Sequence, residues 1–465
     1  MSKTTVHRLA LLVSLGTIAA CTSQQSSLKS VQKEIASRTG KRVAWLRGGP
    51  EDVEASRAVQ TLLRHQLSAN DAVQIALLNN RALQANFEEI GISQADLVQA
   101  GLLSNPTFAA SWRFPDRSPS GTNAEYSIAQ DFLQLIVLPI RKRIAAAQLA
   151  QTETRIASEV LTLVAEVKTA FYTLQAREQL LGRLKVVAET SEIAAEFTKR
   201  LHDAGNASDL DLTNHQASYQ QSQLDVAQTT LQVQVDRERL NRLLGFSGAD
   251  TNWKISDHLP EIPAREISLQ RLEARAIAQR PDLAAARMEV DLIGRALALR
   301  TRTRYLPASI QIGVDTEREP DRQNVTGPTL NLELPIFNQG QGEIARLTAQ
   351  YRQAQRQFEA LAIDIRSEVR QARDQLIAGR DLTSYIGTHL LPTQQQALNL
   401  TLQQYNYMLK GAYDLLLAKQ SEVAAERSYI EAWRDYWIAR AELERAIGGS
   451  LTGTNPKLED RNLKE

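Results

Sequence analysis

The sequence lacks several features that would place it in common protein classes. It has one cysteine in 465 residues, which excludes a disulfide framework within the chain. Its formal net charge is +1, so no basic excess indicates a nucleic-acid partner, and none is expected. The mean hydropathy is −0.32 and no run of about 18 apolar residues occurs, so we expect no membrane-spanning helix.

A grouping of residues for catalysis or metal binding is also lacking. The six histidines are scattered, and His202 and His215 have no Cys or His partner at metal-ligand spacing. We therefore expect solvated histidines, no metal site, no cofactor and no enzyme. The glycine pair Gly340 and Gly342 is more typical of a strand-to-helix turn than of a phosphate-binding loop.

The N-terminus has the layout of a secretory signal peptide over residues 1–20. A short basic start with Lys3 and Arg8 precedes an apolar run over residues 9–18, and small residues precede Cys21. The position of Cys21 resembles a bacterial lipobox, which implies that Cys21 is lipidated and becomes the mature N-terminus. The alternative is an ordinary signal peptide with an incidental cysteine.

The residues after Cys21 indicate which membrane holds the lipid anchor and which segment serves as a tether. In the lipoprotein class that the lipobox resembles, Thr22 in place of Asp favours the outer membrane over retention at the inner membrane. Residues 21–66 are polar, and we interpret them as a lipid anchor and periplasmic tether that precedes the first helix.

An internal repeat with a period near 200 residues organises the rest of the chain. Five landmarks recur in the same order with small drifts in spacing, which favours duplication. The pairs are Asn80-Arg81-Ala82-Leu83 with Arg280-Pro281-Asp282-Leu283, Asn105-Pro106 with Leu306-Pro307, Leu138-Pro139-Ile140 with Leu334-Pro335-Ile336, Gly205 with Gly411, and Leu243-Leu244-Gly245 with Ala446-Ile447-Gly448.

Each repeat has the same predicted plan, which is a helix, a β-hairpin and a long helical hairpin. Repeat 1 spans 67–245 and repeat 2 spans 267–448, with a linker over 246–266 and a polar tail over 449–465. The opening helices are predicted at roughly 69–103 and 268–304, the β-hairpins at 106–133 and 307–337, and the helical hairpins at 140–245 and 342–448.

The predicted strands alternate between apolar and polar residues with period two. In the first strand Phe108, Trp112 and Phe114 share a face, and the fourth is predicted to continue through Leu334 and Ile336. About ten residues is the length of a tilted β-strand that crosses a bilayer, although a half-buried strand in a soluble sheet alternates too. Four strands cannot close a barrel, so the membrane interpretation requires an oligomer.

The helical hairpins are predicted to be long rods with tight turns. Residues 140–201 contain no proline, which predicts a rod of about 90 Å, and both long helices carry a heptad-like apolar stripe. At the first turn Gly205 and Asn206 tolerate the left-handed conformation that ends a helix. Ser208 followed by Asp211 is a plausible cap for the next helix.

Two such repeats in this order resemble the TolC family of outer-membrane efflux channels. The matching residues are Gln279-Arg280-Pro281-Asp282-Leu283, Leu334-Pro335-Ile336-Phe337-Asn338-Gln339-Gly340, and the turns at Gly205 and Gly411. The resemblance implies a mainly α fold whose tandem helical hairpins form an α-barrel. It also implies four strands per protomer that complete a 12-stranded trimeric β-barrel in the membrane.

The resemblance also implies partners and a role. The partners would be two further copies of the chain, a periplasmic adaptor, an inner-membrane pump and outer-membrane lipid, and the role passive export of small solutes. The run from Tyr407 to Leu416 looks closest to the metal-resistance side of the family. The alternative is a non-channel coiled-coil scaffold lipoprotein, which would have no use for four membrane-length strands.

The hairpin turns supply the candidate site residues. The tip residues Gly205, Asn206, Lys410 and Gly411 are expected to dock onto the adaptor. The aperture candidates are Asp209, Asp211, Tyr413 and Asp414, because threefold symmetry would repeat each carboxylate as a ring that binds cations or holds the aperture closed. The alternative is that these acids only stabilise helix N-termini, which is favoured for Asp211 and equally balanced for Asp414.

Overall fold

The computed structural model describes residues 19–451 apart from 115, 118–120, 264–268 and 308. The predicted signal segment therefore lies almost entirely outside the described residues, as does most of the C-terminal tail. The side chain of Cys21 also lies outside them.

The described part of the chain is mainly helical, with four antiparallel strands, as the predicted fold class requires. The helices are α1 Ala19–Thr39, α2 Pro50–Leu62, α3 Ala69–Asn79, α4 Arg81–Ala100, α5 Leu133–Asp203, α6 Asp209–Leu244, α7 Leu272–Gln279, α8 Pro281–Thr303, α9 Gln341–Tyr385, α10 Leu391–Asn406 and α11 Ala412–Ala446; the strands are β1 Thr107–Arg113, β2 Asn123–Asp131, β3 Ile310–Arg318 and β4 Asn324–Leu332. None of the helices in the described ranges is both long enough and apolar enough to span a membrane.

Two helices, α1 and α2, precede the helix that the sequence predicts as the first, from about residue 69. Val31 and Ile35 lie one helical turn apart on α1 and are almost completely buried. Trp45 in the following loop is only 2% exposed. Because these few apolar side chains are buried against the body, this mostly polar segment is ordered.

The opening helix of each repeat is split, where the sequence predicts one continuous helix. Asn80 and Arg280 have extended backbone conformations, with ψ of 121° and 125°. Pro281 explains the second break, because a residue that precedes proline avoids the helical conformation. Asn80 produces the first break through its side chain, whose Oδ1 accepts a hydrogen bond from the Leu83 N–H at 2.8 Å and so caps α4.

The four strands form one sheet in the order β1-β2-β3-β4, with every neighbouring pair antiparallel. β1–β2 and β3–β4 are the two hairpins, and the β2–β3 pairing joins the two repeats. The outer edges of β1 and β4 have no partner within this sheet. β4 ends at Leu332, short of the predicted Leu334 and Ile336, and Pro335 has no N–H with which to extend the pairing.

The two long helices differ in continuity. α5 is unbroken over 71 residues, a length of about 105 Å. The second long helix is interrupted between α9 and α10 by a π-helical turn at Ile386–Leu390. Pro392 follows this turn and cannot donate the hydrogen bond that the Thr388 carbonyl would accept, so the wider turn accommodates it.

The chain divides into two compact units. One consists mainly of Phe87–Ile156 and Pro281–Ala362 and contains the sheet. The other consists of Ser30–Asn86, Ala157–Arg280 and Ile363–Glu465. In its core the ring of Tyr172 stacks on Trp437 with centroids 5.3 Å apart, and the indole N–H groups of Trp433 and Trp437 both donate to the Pro260 carbonyl at 2.9 Å.

Candidate channel surfaces: the sheet and the helical tips

One face of the sheet is apolar and exposed. Phe108, Ile128, Val314 and Pro328 lie in register across the four strands. Phe108, Ile128 and Val314 are 70%, 53% and 50% exposed, although each is a large apolar side chain. At about 25 cal/mol per Å² of apolar area, such a face is unfavourable in water and favourable in lipid.

Aromatic side chains lie toward the turn of the first hairpin on the same face. Trp112 and Tyr126 pack edge to face with centroids 5.9 Å apart, and both are more than 40% exposed. Phe114, just beyond β1, is 78% exposed. Exposed aromatic rings at one level are typical of strands whose ends lie at a membrane–water interface.

The opposite face of the sheet is polar and acidic. Glu125 and Glu317 are directly paired across β2 and β3. Glu125 accepts hydrogen bonds from the Ser111 hydroxyl at 3.2 Å and the Arg113 guanidinium at 3.3 Å, and Glu317 accepts one from the Asn123 amide at 2.6 Å. By the strand register, Asp131 and Asp315 lie on the same face as Glu125 and Glu317. The strand residues of this face therefore include four carboxylates and one guanidinium.

The first helical tip connects α5 to α6. Gly205 has a φ of +74°, and the Asn206 N–H donates to the Leu201 carbonyl at 2.8 Å, which is the geometry that commonly ends a helix. Ser208 then begins α6 in the predicted capping box, which is confirmed. Its hydroxyl accepts from the Asp211 N–H at 3.1 Å, and Asp211 Oδ2 accepts from that hydroxyl at 2.7 Å.

The second tip connects α10 to α11 with the same backbone pattern. The Leu409 N–H donates to the Gln404 carbonyl at 2.9 Å, and Met408 has a φ of +62°. Asp414 Oδ2 accepts from the Gly411 N–H at 3.1 Å, and Asp414 Oδ1 lies 3.4 Å from Lys410 Nζ.

The backbone corrects the predicted correspondence between the two tips. Gly411 has a φ of −83° and starts α11, so it corresponds to Ser208 and not to Gly205. The counterpart of Gly205 is Met408, which takes the left-handed position although it is not glycine. Asp211 and Asp414 are then equivalent, 203 residues apart, because each accepts a hydrogen bond from the N–H of the N-cap residue that precedes its helix.

A cavity next to the tips is lined by both helical hairpins. It has a volume of about 270 Å³, and its walls include His215 from α6, Tyr405 from α10 and Lys419 from α11. His215 is 7% exposed, so the expectation of a solvated histidine is wrong for this residue. Burial lowers the pKa of His215, and the nearby carboxylate of Asp211 opposes that effect.

Three comparisons relate these features to known proteins. A family model described as outer membrane efflux protein matches residues 72–246. The cobalt-zinc-cadmium resistance protein CzcC of Cupriavidus metallidurans is 24% identical over 398 residues, which cover 82% of this chain and 90% of that protein. This chain is similar to outer-membrane efflux proteins over most of its length.

Two further efflux channels are similar over most of their length. The probable efflux pump outer membrane protein TtgC of Pseudomonas putida is 23% identical over 419 residues, covering 84% of this chain and 83% of TtgC. The Campylobacter jejuni CmeC outer membrane channel superposes with a TM-score of 0.69 at 16% identity, covering 85% of this chain and 89% of that chain. The resemblance stated from the sequence is confirmed, and its relatives are efflux proteins rather than enzymes.

Within this efflux-channel fold, the predicted site residues fall into small local groups. Lys410, Gly411 and Asp414 are brought together at the second tip, and Tyr413 beside them is 49% exposed. Asp209 does not join Asp211, because its carboxylate lies 2.7 Å from the His202 ring at the end of α5. Hydrogen bonds from the Ser208 hydroxyl and N–H hold the pKa of Asp211 below its ordinary value.

Sequence reasoning missed two functional candidates of this channel fold. The pairing of His202 with Asp209 follows from the tight turn, and the spacing of seven residues across Gly205 was the available signal. The burial of His215 had no local signal, because residues of the other hairpin produce it. No group of three or more potential metal ligands is found in the part of the chain that the structure describes.

Proposed function

We propose that the chain is the outer-membrane channel of a tripartite efflux system and conducts small solutes passively to the exterior. The sheet supports this proposal most directly, because it has one exposed apolar face, one acidic face and two edges without a partner strand in the sheet. Three copies of four strands make a closed 12-stranded barrel with the apolar face toward lipid. Closure satisfies the edge N–H and C=O groups, which lipid cannot do.

The tips are the proposed contact with the periplasmic adaptor, which joins the channel to an inner-membrane pump. Gly205, Asn206, Lys410 and Gly411 would form the docking surface. Met408 supports this role, because it is 93% exposed and has a left-handed backbone, a strain that proteins often retain at functional sites. Asp209, Asp211, Tyr413 and Asp414 would line the aperture, and Cys21 would carry the lipid anchor.

The proposed cargo is metal cations. The acidic face of the sheet would point into the lumen, where Glu125, Glu317 and their symmetry copies form rings of carboxylates that attract cations. CzcC, by its name, is a cobalt-zinc-cadmium resistance protein, whereas the name of TtgC gives no metal. The excess of acidic side chains on the proposed lumen face favours metal cations as the cargo.

The barrel proposal is tested by paired substitutions on the two faces of β2. Ile128→Lys puts a cation on the lipid face, where it costs about 2–4 kcal/mol per protomer near the bilayer centre. Ser127→Lys is the matched control on the polar face. We expect Ile128→Lys to abolish the heat-resistant trimer in outer-membrane fractions and Ser127→Lys to retain it.

A scaffold lipoprotein would tolerate both changes, because each site would then face water. The same fractionation in a Cys21→Ser background adds a second criterion. A channel remains in the membrane without its lipid, whereas release of the Cys21→Ser protein into the soluble fraction would overturn the proposal.

The cargo proposal is tested by killing curves of a deletion strain with copper, silver, zinc, cobalt and a few hydrophobic drugs. We expect sensitivity to metals that the wild-type chain restores and that Glu125→Gln with Glu317→Gln restores only in part. Sensitivity to the drugs alone would contradict metal export while leaving the channel itself intact.

A further inference from the structure

A second cavity, of about 410 Å³, lies in the unit that contains α3, α5 and α11. The turn after α1, the middle of α5 and the end of α11 form its walls. Its lining carries five cationic side chains and one carboxylate, namely Arg38, Lys41, Lys168, Arg440, Arg445 and Glu444. The charge of this cavity is therefore opposite in sign to the charge of the acidic face of the sheet.

Carboxylates form ion pairs with at least three of the five cations. Lys168 Nζ lies 2.5 Å from Glu444 Oε2, within the cavity wall. Arg38 pairs with Glu34 at 2.5 Å, and Arg445 pairs with Glu442 at 2.8 Å. These pairs hold the walls of the cavity in place.

Lys41 differs from these cations, because no carboxylate of the described residues lies within ion-pair distance of it. Its ammonium group is half-buried, and among the described residues none supplies it with an ion pair or a side-chain hydrogen bond. Burial lowers the pKa of Lys41, a smaller effect of Asp71 raises it, and the Lys168 ammonium lowers it again. A partly desolvated ammonium without a counter-ion is unfavourable, and an anion in the cavity would relieve this.

The neighbouring side chains give the cavity a fixed shape and further donors. Gly40, with a φ of +66°, allows the sharp turn that brings Lys41 back toward the body. The guanidinium of Arg440 lies 5.8 Å from the Trp437 ring and donates to the Tyr436 hydroxyl at 3.2 Å. Burial and the charge of Glu444 raise the pKa of Tyr172, so its phenol stays protonated as a neutral hydrogen-bond donor.

We propose that this cavity binds a phosphate group, held by the Lys41 ammonium together with the Arg440 guanidinium and the Lys168 ammonium. Ammonium and guanidinium donors form the strong charge-assisted hydrogen bonds that phosphate oxygens accept. The phosphate group could belong to a free phosphate or to an anionic lipid headgroup, and both present the same oxygens to these donors.

The test uses the mature full-length trimer in dodecyl maltoside at constant ionic strength. Isothermal titration with inorganic phosphate is expected to give one saturable site per chain, and phosphate is expected to raise the apparent unfolding temperature. Lys41→Met should weaken binding at least tenfold and remove the thermal shift, while Lys41→Arg should retain most of both. Lys33→Met, the same change at an exposed position of α1, should alter neither.

Three results would overturn the proposal. These are equal phosphate binding by the wild type and Lys41→Met, no saturable binding by the wild type, and equal binding of acetate or chloride at the same concentration. Native mass spectrometry distinguishes the sources of the phosphate group. Phosphatidylglycerol that co-purifies with the wild type and is lost in Lys41→Met indicates a lipid headgroup, whereas titratable phosphate binding without retained lipid indicates a free ligand.

Discussion

The two repeats keep the same helix ends and differ in the side chains that make them. Asn80 donates to the Leu243 carbonyl at 2.8 Å, and Arg280 in the second repeat donates to the Ala446 carbonyl at 3.4 Å. Gly245 and Gly448 both have positive φ, of 71° and 80°. The backbone geometry at these ends is therefore shared even where an amide has been replaced by a guanidinium.

The tips show the same principle with a larger chemical difference. The first tip is small and polar around Gly205, while the second exposes Tyr407, Met408 and Leu409 at 77%, 93% and 74%. In a trimer the two kinds of tip would alternate around the axis. Duplication has thus preserved the hydrogen bonds that end each helix and left the exposed side chains free to diverge.

The largest expected effect tests whether the two glycines at the helix ends are equally required. A Cβ at Gly245 would lie 2.5 Å from the Asn79 carbonyl oxygen, whereas one at Gly448 would lie 3.2 Å from Arg280 Cα. With the cost of a left-handed alanine added, we expect Gly245→Ala to lower stability by about 3 kcal/mol and Gly448→Ala by about half as much. The apparent unfolding temperature of the trimer measures both.

Gly182→Ala is the control for these two variants. Gly182 lies inside α5, where a Cβ meets nothing within 4 Å, so alanine should stabilise the helix by up to about 1 kcal/mol. Equal losses for Gly245→Ala and Gly448→Ala would mean that the two helix ends do not differ as their contacts indicate.

An intermediate effect is expected from exchanging the left-handed residues of the tips. Gly205→Ala should cost about 1 kcal/mol, because alanine is strained at a φ of +74°. Met408→Gly should recover up to about 1 kcal/mol by relieving the same strain at +62°. Thermal unfolding of the two single variants measures the effects, and the same sign for both would contradict the assigned correspondence of Gly205 with Met408.

A smaller effect, limited to the first repeat, is a loss of stability in acid. Because burial lowers the pKa of His215 in the folded chain, the unfolded state takes up the proton first as pH falls. The stabilisation is complete above the unfolded pKa of about 6.5 and declines below it. Asp211, Tyr405 and Lys419 are the other titratable groups around this histidine.

His215→Gln should flatten the dependence of unfolding temperature on pH between about 7 and 5. The counterpart of His215 in the second repeat is Ala418, which cannot titrate. His65→Gln, at an exposed position before α3, serves as the control and should leave the slope unchanged. An unchanged slope in His215→Gln would show that the cavity does not cause the pH dependence.

The smallest expected effect on stability is that of changing Asp414. Here we expect the change to affect ion conduction. We expect Asp414→Ala to raise single-channel conductance in planar bilayers, because a carboxylate near Lys410 would no longer hold the aperture narrow. Asp414→Asn separates the charge from the cap, since its amide oxygen can still accept from the Gly411 N–H. Unchanged conductance and cation preference in Asp414→Ala would leave this residue with a capping role alone.

The predictable parts of this protein are those decided within a few residues of chain. The capping box of Ser208 and Asp211 needs only a four-residue pattern, and alternation predicted which face of β1 is apolar. The strand ends and the split opening helices were less predictable. Asn80 breaks its helix through its own side chain, and a polar residue in a helical pattern gives little warning of that.

By itself, the sequence determined the duplication, the long helical hairpins, the amphipathic strands and the resemblance to efflux channels. These depend on periodicity and on local capping, which short-range hydrogen bonds and burial of one face enforce. Structure alone decided that Met408 and not Gly411 corresponds to Gly205, that His215 is buried and that Lys41 forms no ion pair with a carboxylate of the described residues. The surroundings of His215 and Lys41 depend on packing between segments far apart in the chain, which no local pattern records, and the position of Met408 depends on the backbone conformation of the turn.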